Sequence, residues 1–181
     1  YLSWEPIMGS WTTGGFFYKN FIGKKYELTL NEIKEFMGFW DSYNQIDLDK
    51  EKFLKVAVKR FNYAKEREKP EDRLIDFIIS LEALFLKEEE KQELNYRLAI
   101  RMATFLGKDK EDKNKIFSDI RYAYDTRSKI IHGSSKIEDK NLNELTSKIE
   151  NYTRDSVKRF LALIKEKPYN KIIEDIDKNI F

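Results

Sequence analysis

A chain of 181 residues, 41% hydrophobic and 36% charged, is long enough to bury the core of one domain, with more charge than the usual quarter of a globular protein. Its 34 basic and 32 acidic side chains leave a net charge of +2, which excludes a strong global pull on nucleic acid and leaves any such contact to a local basic patch. The absence of Cys excludes disulfides and thiolate metal sites, a single His cannot build a His-rich zinc site, and no run approaches the ~18 apolar residues of a spanning helix. Seven Gly and three Pro argue against a loop-rich or all-β fold. Charge interleaved with apolar stripes predicts an all-α bundle of about five to seven helices. With no secretory signal the expected location is cytoplasmic, and no metal or cofactor is expected. A start at Tyr1 rather than Met reads as a piece of a longer protein.

Residues 1–28 form an aromatic and Gly-rich extension, with Trp4, Trp11, Phe16, Phe17, Tyr18, Phe21 and Tyr26 among Gly9, Gly14, Gly15 and Gly23. The segment reads either as a small hairpin or as an extended stretch packed over the helical body, and the second is favoured. Gly14-Gly15 lacks the spacing and the following Lys-Ser/Thr of a nucleotide loop. From residue 29 to 181 the periodicity is helical. Thr29 with Glu32 makes a capping box, followed by Ile33, Phe36, Met37 and Trp40 on one face. Asp47 or Asp49 is the expected cap of a second helix, whose stripe is Phe53, Val56, Ala57, Arg60 and Phe61. Pro70 opens a third helix through Leu86, apolar nearly all round and therefore central. A fourth helix is expected from Glu90 to Leu106, stopped by Gly107, and a fifth from Asp109 to His132, stopped by Gly133. A sixth spans Asn141 to Lys165, and a short seventh follows Pro168.

Two charged residues fall on apolar stripes. Glu82 follows Ile78 and Ile79 and precedes Phe85 and Leu86 at helical spacing. Arg127 interrupts Ile116, Ile120, Ala123, Ile130 and Ile131. A buried carboxylate needs a partner or a proton, and a buried guanidinium wants a carboxylate or a phosphate. Pairing Glu82 with Arg127 is the first expectation, with Arg97 and Arg101 as competitors; a fully buried pair would make Glu82→Ala cost ~3–5 kcal/mol. Such a pair can also simply lock the register of two helices.

His132, the only histidine, shares a helical face with Arg121, Asp125 and Ser128. Arg127 stands five residues before it, about 140° around an ideal helix. A histidine can move a proton near neutral pH, and a guanidinium can hold a phosphate and stabilise its developing charge. Together they can cleave RNA without a metal, the 2′-hydroxyl attacking phosphorus to leave a cyclic phosphate and a 5′-hydroxyl. The structural alternative for His132 is a helix-end residue that caps carbonyls.

The run Arg73-Leu74-Ile75-Asp76, then Ser80-Leu81-Glu82-Ala83-Leu84-Phe85, then Tyr96-Arg97-Leu98-Ala99-Ile100-Arg101, then Tyr124 through Gly133 resembles the HEPN superfamily, most of all its Apea-like branch, over about residues 72 to 133. The resemblance implies a compact helical bundle that usually dimerises, and metal-independent RNA cleavage, often in antiviral defence or toxin systems. It implies that Arg127 and His132 are the Arg-x4-His pair, with Ser128 as a polar aid and Glu82 and Asp125 in support. Ser128 departs from the Asn, Asp or His common after the motif arginine in nuclease members. Arg121, Lys129 and Lys136 are the basic candidates for RNA contact, and Tyr122 and Tyr124 the stacking candidates. Members without cleavage imply the alternatives: a module that binds nucleotide, RNA or a protein partner, or a structural dimerisation domain.

Overall fold

A computed structural model describes residues 27–133 and 139–180. Among them are seven helices and no strand: α1 (Leu30–Asn44), α2 (Lys52–Glu66), α3 (Pro70–Phe85), α4 (Leu94–Leu106), α5 (Lys110–Ile131), α6 (Asp139–Leu163) and α7 (Tyr169–Lys178). The all-helical expectation holds, whereas the expected hairpin or extended segment before Glu27 lies outside the described residues.

The third helix is central, as its all-round apolarity requires. Leu74, Phe77, Ile78, Leu81, Leu84 and Phe85 are fully buried, and α3 packs on α2, α5 and α6. Ser80 Oγ donates to the Ala57 carbonyl at 2.8 Å, which fixes a close approach of α2. Phe85, Phe105 and Phe160 meet in mutual ring contacts with centroids 5.0–5.4 Å apart, joining α3, α4 and α6 in one core.

Local chemistry accounts for the helix ends. Thr29 and Glu32 form the capping box, with Thr29 N–H donating to the Glu32 carboxylate at 2.8 Å. Neither Asp47 nor Asp49 caps α2: Asp47 accepts the Asp49 N–H at 3.1 Å in a turn, and Glu51 holds the N-cap without a side-chain bond. Asp109 caps α5 through the Asp112 N–H. The fourth helix begins at Leu94, not Glu90, because Glu90 is drawn into another role described below, and Glu93 precedes it with φ +56°. Gly133 ends α5 in the left-handed conformation, φ +66°. Gly107 ends α4 for a different reason: a Cβ there would stand 2.6 Å from the Ala103 carbonyl oxygen.

Three buried charges organise the rest, and all three are satisfied. Arg101 donates from Nε and Nη2 to Asp177 at 2.7 and 2.9 Å, from Nη1 to the Phe85 carbonyl and Glu90, and from Nη2 to Glu90, these three each at 2.7 Å. Asp76 accepts Arg60 at 2.8 Å and Arg67 at 3.1 Å. Glu150 accepts Lys65 at 2.7 Å and both Arg73 and Arg154 at 2.6 Å, tying α2, α3 and α6. Burial pushes the Glu150 carboxyl up, but the three cations outweigh it and hold it below the usual range.

The first helix departs from expectation. Its apolar face carries Ile33, Phe36, Met37 and Trp40 as the periodicity predicts, yet no residue of α1 is buried. On α2, likewise, Leu54, Ala57 and Ala64 are buried while Val56 stays exposed.

Candidate functional site at the end of the fifth helix

The fifth helix places the candidate residues, and its buried edge sets their directions. Ile116, Ile120, Ala123 and Thr126 face the core. Thr126 thus takes the fully buried position, and Arg127, one step round, is only partly covered. The helix ends on His132, whose backbone N–H donates to the Ser128 carbonyl at 3.1 Å while its side chain stands exposed.

The structure divides the candidates into two groups on different sides of α5. Asp125, Ser128, Lys129 and His132 line an open depression of about 280 Å³. Asn95 at the start of α4 donates from Nδ2 to Asp125 Oδ1 at 2.7 Å and steadies that wall. This depression brings an imidazole, an ammonium, a hydroxyl and a carboxylate together beside the carbonyl end of a helix. Asn95 escapes sequence reasoning, since its role comes from a contact 30 residues away on another helix.

Arg127, Glu82 and Tyr124 form the second group, facing α3. Arg127 Nη2 lies 3.7 Å from Glu82 Oε2, and the two side chains are 23% and 22% exposed. The expected partner is therefore the right one, but the contact is a long ion pair, short of a hydrogen bond. Arg97 and Arg101 are engaged with Glu90 instead. The guanidinium also sits 5.8 Å from the Tyr124 ring centroid, and its Nε is buried with no hydrogen-bond partner. Burial pushes the Glu82 carboxyl above its usual range, with Arg127 and Tyr124 only partly opposing it. Burial, then the Glu82 charge, raise Tyr124 in turn.

Arg127 does not line the depression that holds His132; the ammonium beside the imidazole is that of Lys129. Tyr124, half-buried against Glu82, is not an open stacking surface, while Tyr122 is 55% exposed. Arg121 is exposed, its guanidinium 5.9 Å from the Phe117 ring centroid and further back along α5. Lys136 lies outside the described residues. Among the described residues no cluster of three or more His, Asp or Glu is arranged to hold a metal ion, and no helix is long and apolar enough to cross a membrane.

The arrangement defines a helical bundle with a polar, cation-bearing helix end. Comparison with protein-family models, with curated proteins and with solved structures gives no match.

Proposed function

We propose that the chain is a metal-independent endoribonuclease of HEPN type, acting as a homodimer in the cytoplasm, in a defence or toxin setting. The observation that supports it best is the open depression where His132 and Lys129 stand together at the end of α5, with Arg127 loosely held on the next side. With side chains, a helix is only about 10–12 Å across, so an RNA strand crossing its end spans both sides. In this reading Lys129 holds the scissile phosphate and His132 transfers a proton at the 2′- or the 5′-oxygen. The O2′–P bond forms, the P–O5′ bond breaks, and the proton leaves with the 5′-hydroxyl. Arg127, short of hydrogen-bond partners, takes the adjoining phosphate, while Asp125 and Ser128 orient the imidazole and Arg121 and Lys136 extend the basic contact.

The test is incubation of the protein with mixed-sequence RNA in EDTA, beside His132→Ala, Arg127→Ala and Lys129→Ala. The expected result is 2′,3′-cyclic phosphate ends from the wild type, loss of about 100-fold or more in rate for His132→Ala, and mainly weaker binding for the two cation variants. Equal cleavage by all four proteins, or none by any, would remove the nuclease reading. A second reading is a non-catalytic HEPN module that binds RNA, nucleotide or a protein partner, or simply joins helices. It is favoured by the seating of Arg127 against Glu82 and Tyr124, away from His132, and it expects RNA binding that survives His132→Ala.

A further inference from the structure

The largest physical anomaly of the molecule is α1. A helix of 15 residues is marginal in water by itself and normally owes its stability to a buried apolar face. Here that face is complete, and none of its residues is buried among the described residues. Leu30, Ile33, Phe36, Met37, Phe39 and Trp40 are 37–77% exposed. Phe36, Trp40, Tyr43 and Phe39 stack along the helix with centroids 5.9–6.3 Å apart, a preformed aromatic ridge. The far end is tied down: Tyr43, Ile46 and Leu48 pack on the core, and Lys165 bonds to Ser42 and Gln45.

We infer that α1 is a self-association surface through which two copies of this chain pair antiparallel, face to face. Two observations select a second copy as the occupant. The first is area. The six side chains expose on the order of 700 Å² of mostly apolar surface, close to the ~800 Å² each partner buries in a stable complex. The second is charge. Lys34 and Asp41 lie on the same edge of the apolar arc, about 20° apart in projection and two turns apart along the axis. Both are exposed and unpaired among the described residues. At that separation they cannot reach each other within one helix. In a two-fold antiparallel pair centred between Met37 and Gly38, Lys34 faces Asp41 of the second copy and Asp41 faces its Lys34. The same register sets Phe36 against Phe39 of the second copy. A two-fold contact must be self-complementary, and this one is. A lipid surface is a poorer occupant, because Glu32, Glu35 and Asp41 outnumber Lys34 on a helix that anionic lipid would want basic. The inference shares with the proposed function only the expectation that copies associate; it uses no residue of the α5 end, and it is read by mass, not by cleavage.

The test is sedimentation of the full chain at micromolar concentration, with circular dichroism and thermal unfolding to confirm the fold. The wild type is expected to be dimeric and Phe36→Glu/Trp40→Glu monomeric, with the unfolding transition of the core retained because neither side chain packs on it. Asp41→Lys should weaken the dimer about tenfold, and Lys34→Asp/Asp41→Lys should restore it. Three results overturn the inference: a monomeric wild type, which would put the ridge under residues 1–26 or under a different protein; a dimer indifferent to Phe36→Glu/Trp40→Glu; or a charge reversal that fails to restore association.

Discussion

Glu82 and Arg127 show how little a charge's position in a stripe says about its energetics. Had both been sealed in the core, losing one would have cost several kcal/mol. With each about a fifth exposed and 3.7 Å apart, the pair does not offset the desolvation of Glu82, whose carboxyl is pushed up by burial despite Arg127. A raised carboxylate favours folding while protonated, below its unfolded pKa near 4.5, and withdraws that stability as pH rises through the folded value. Glu82→Gln, which cannot ionise, is therefore expected to gain stability relative to the wild type as pH is raised from 4 toward 7. Parallel urea melts at the two pH values check this. A Gln variant less stable at pH 7 than at pH 4, relative to the wild type, would mean that Arg127 holds Glu82 charged and that the two form a tight structural pair.

At the scale of elements, most of the helical order was legible. Periodicity located the first six helices that the structure describes and Pro168 marked the seventh, and the Thr29, Pro70, Asp109 and Gly133 signals act where the sequence puts them. What periodicity cannot say is what a stripe meets. The Phe36 and Trp40 face of α1 reads like any core face, and only the tertiary structure leaves it in the open. Arg101 teaches the same lesson in reverse. It interrupts Leu98, Met102 and Phe105 as plainly as Arg127 interrupts its own stripe, but its partners Glu90 and Asp177 are 11 and 76 residues away. Its guanidinium joins α4 to the end of α3, the loop before α4 and the last helix. Burial pulls its pKa down, but the two carboxylates outweigh that and hold it above the ordinary arginine value. Arg101→Met should cost ~3–5 kcal/mol in thermal or urea unfolding, because Asp177 then loses the guanidinium that it accepts from and Glu90 keeps only its longer contact to the more exposed Arg97. Adding Glu90→Gln and Asp177→Asn should recover part of the loss. A change within ~0.5 kcal/mol, the size of an ordinary surface substitution, would mean that α7 docks by its isoleucines alone.

For the molecule as a whole, the candidate site was legible in its residues and not in its partition. Sequence spacing put Asp125, Ser128 and His132 on one face, and they do share a depression. It also marked Arg127 and His132 as five positions apart and some 140° around the helix, and the structure keeps them on different sides. Lys129, a minor candidate by sequence, becomes the cation nearest in function to the imidazole because it lines the same depression. Cleavage at this site requires RNA to lie over the end of α5. One histidine in the chain makes this directly measurable. The imidazole signals of His132, followed by NMR while an uncleavable 2′-deoxy-substituted RNA oligonucleotide is added, should shift saturably in the wild type, and the apparent affinity should fall in Lys129→Ala and Arg127→Ala. Imidazole signals that stay in place while the oligonucleotide binds elsewhere, or does not bind at all, would contradict it.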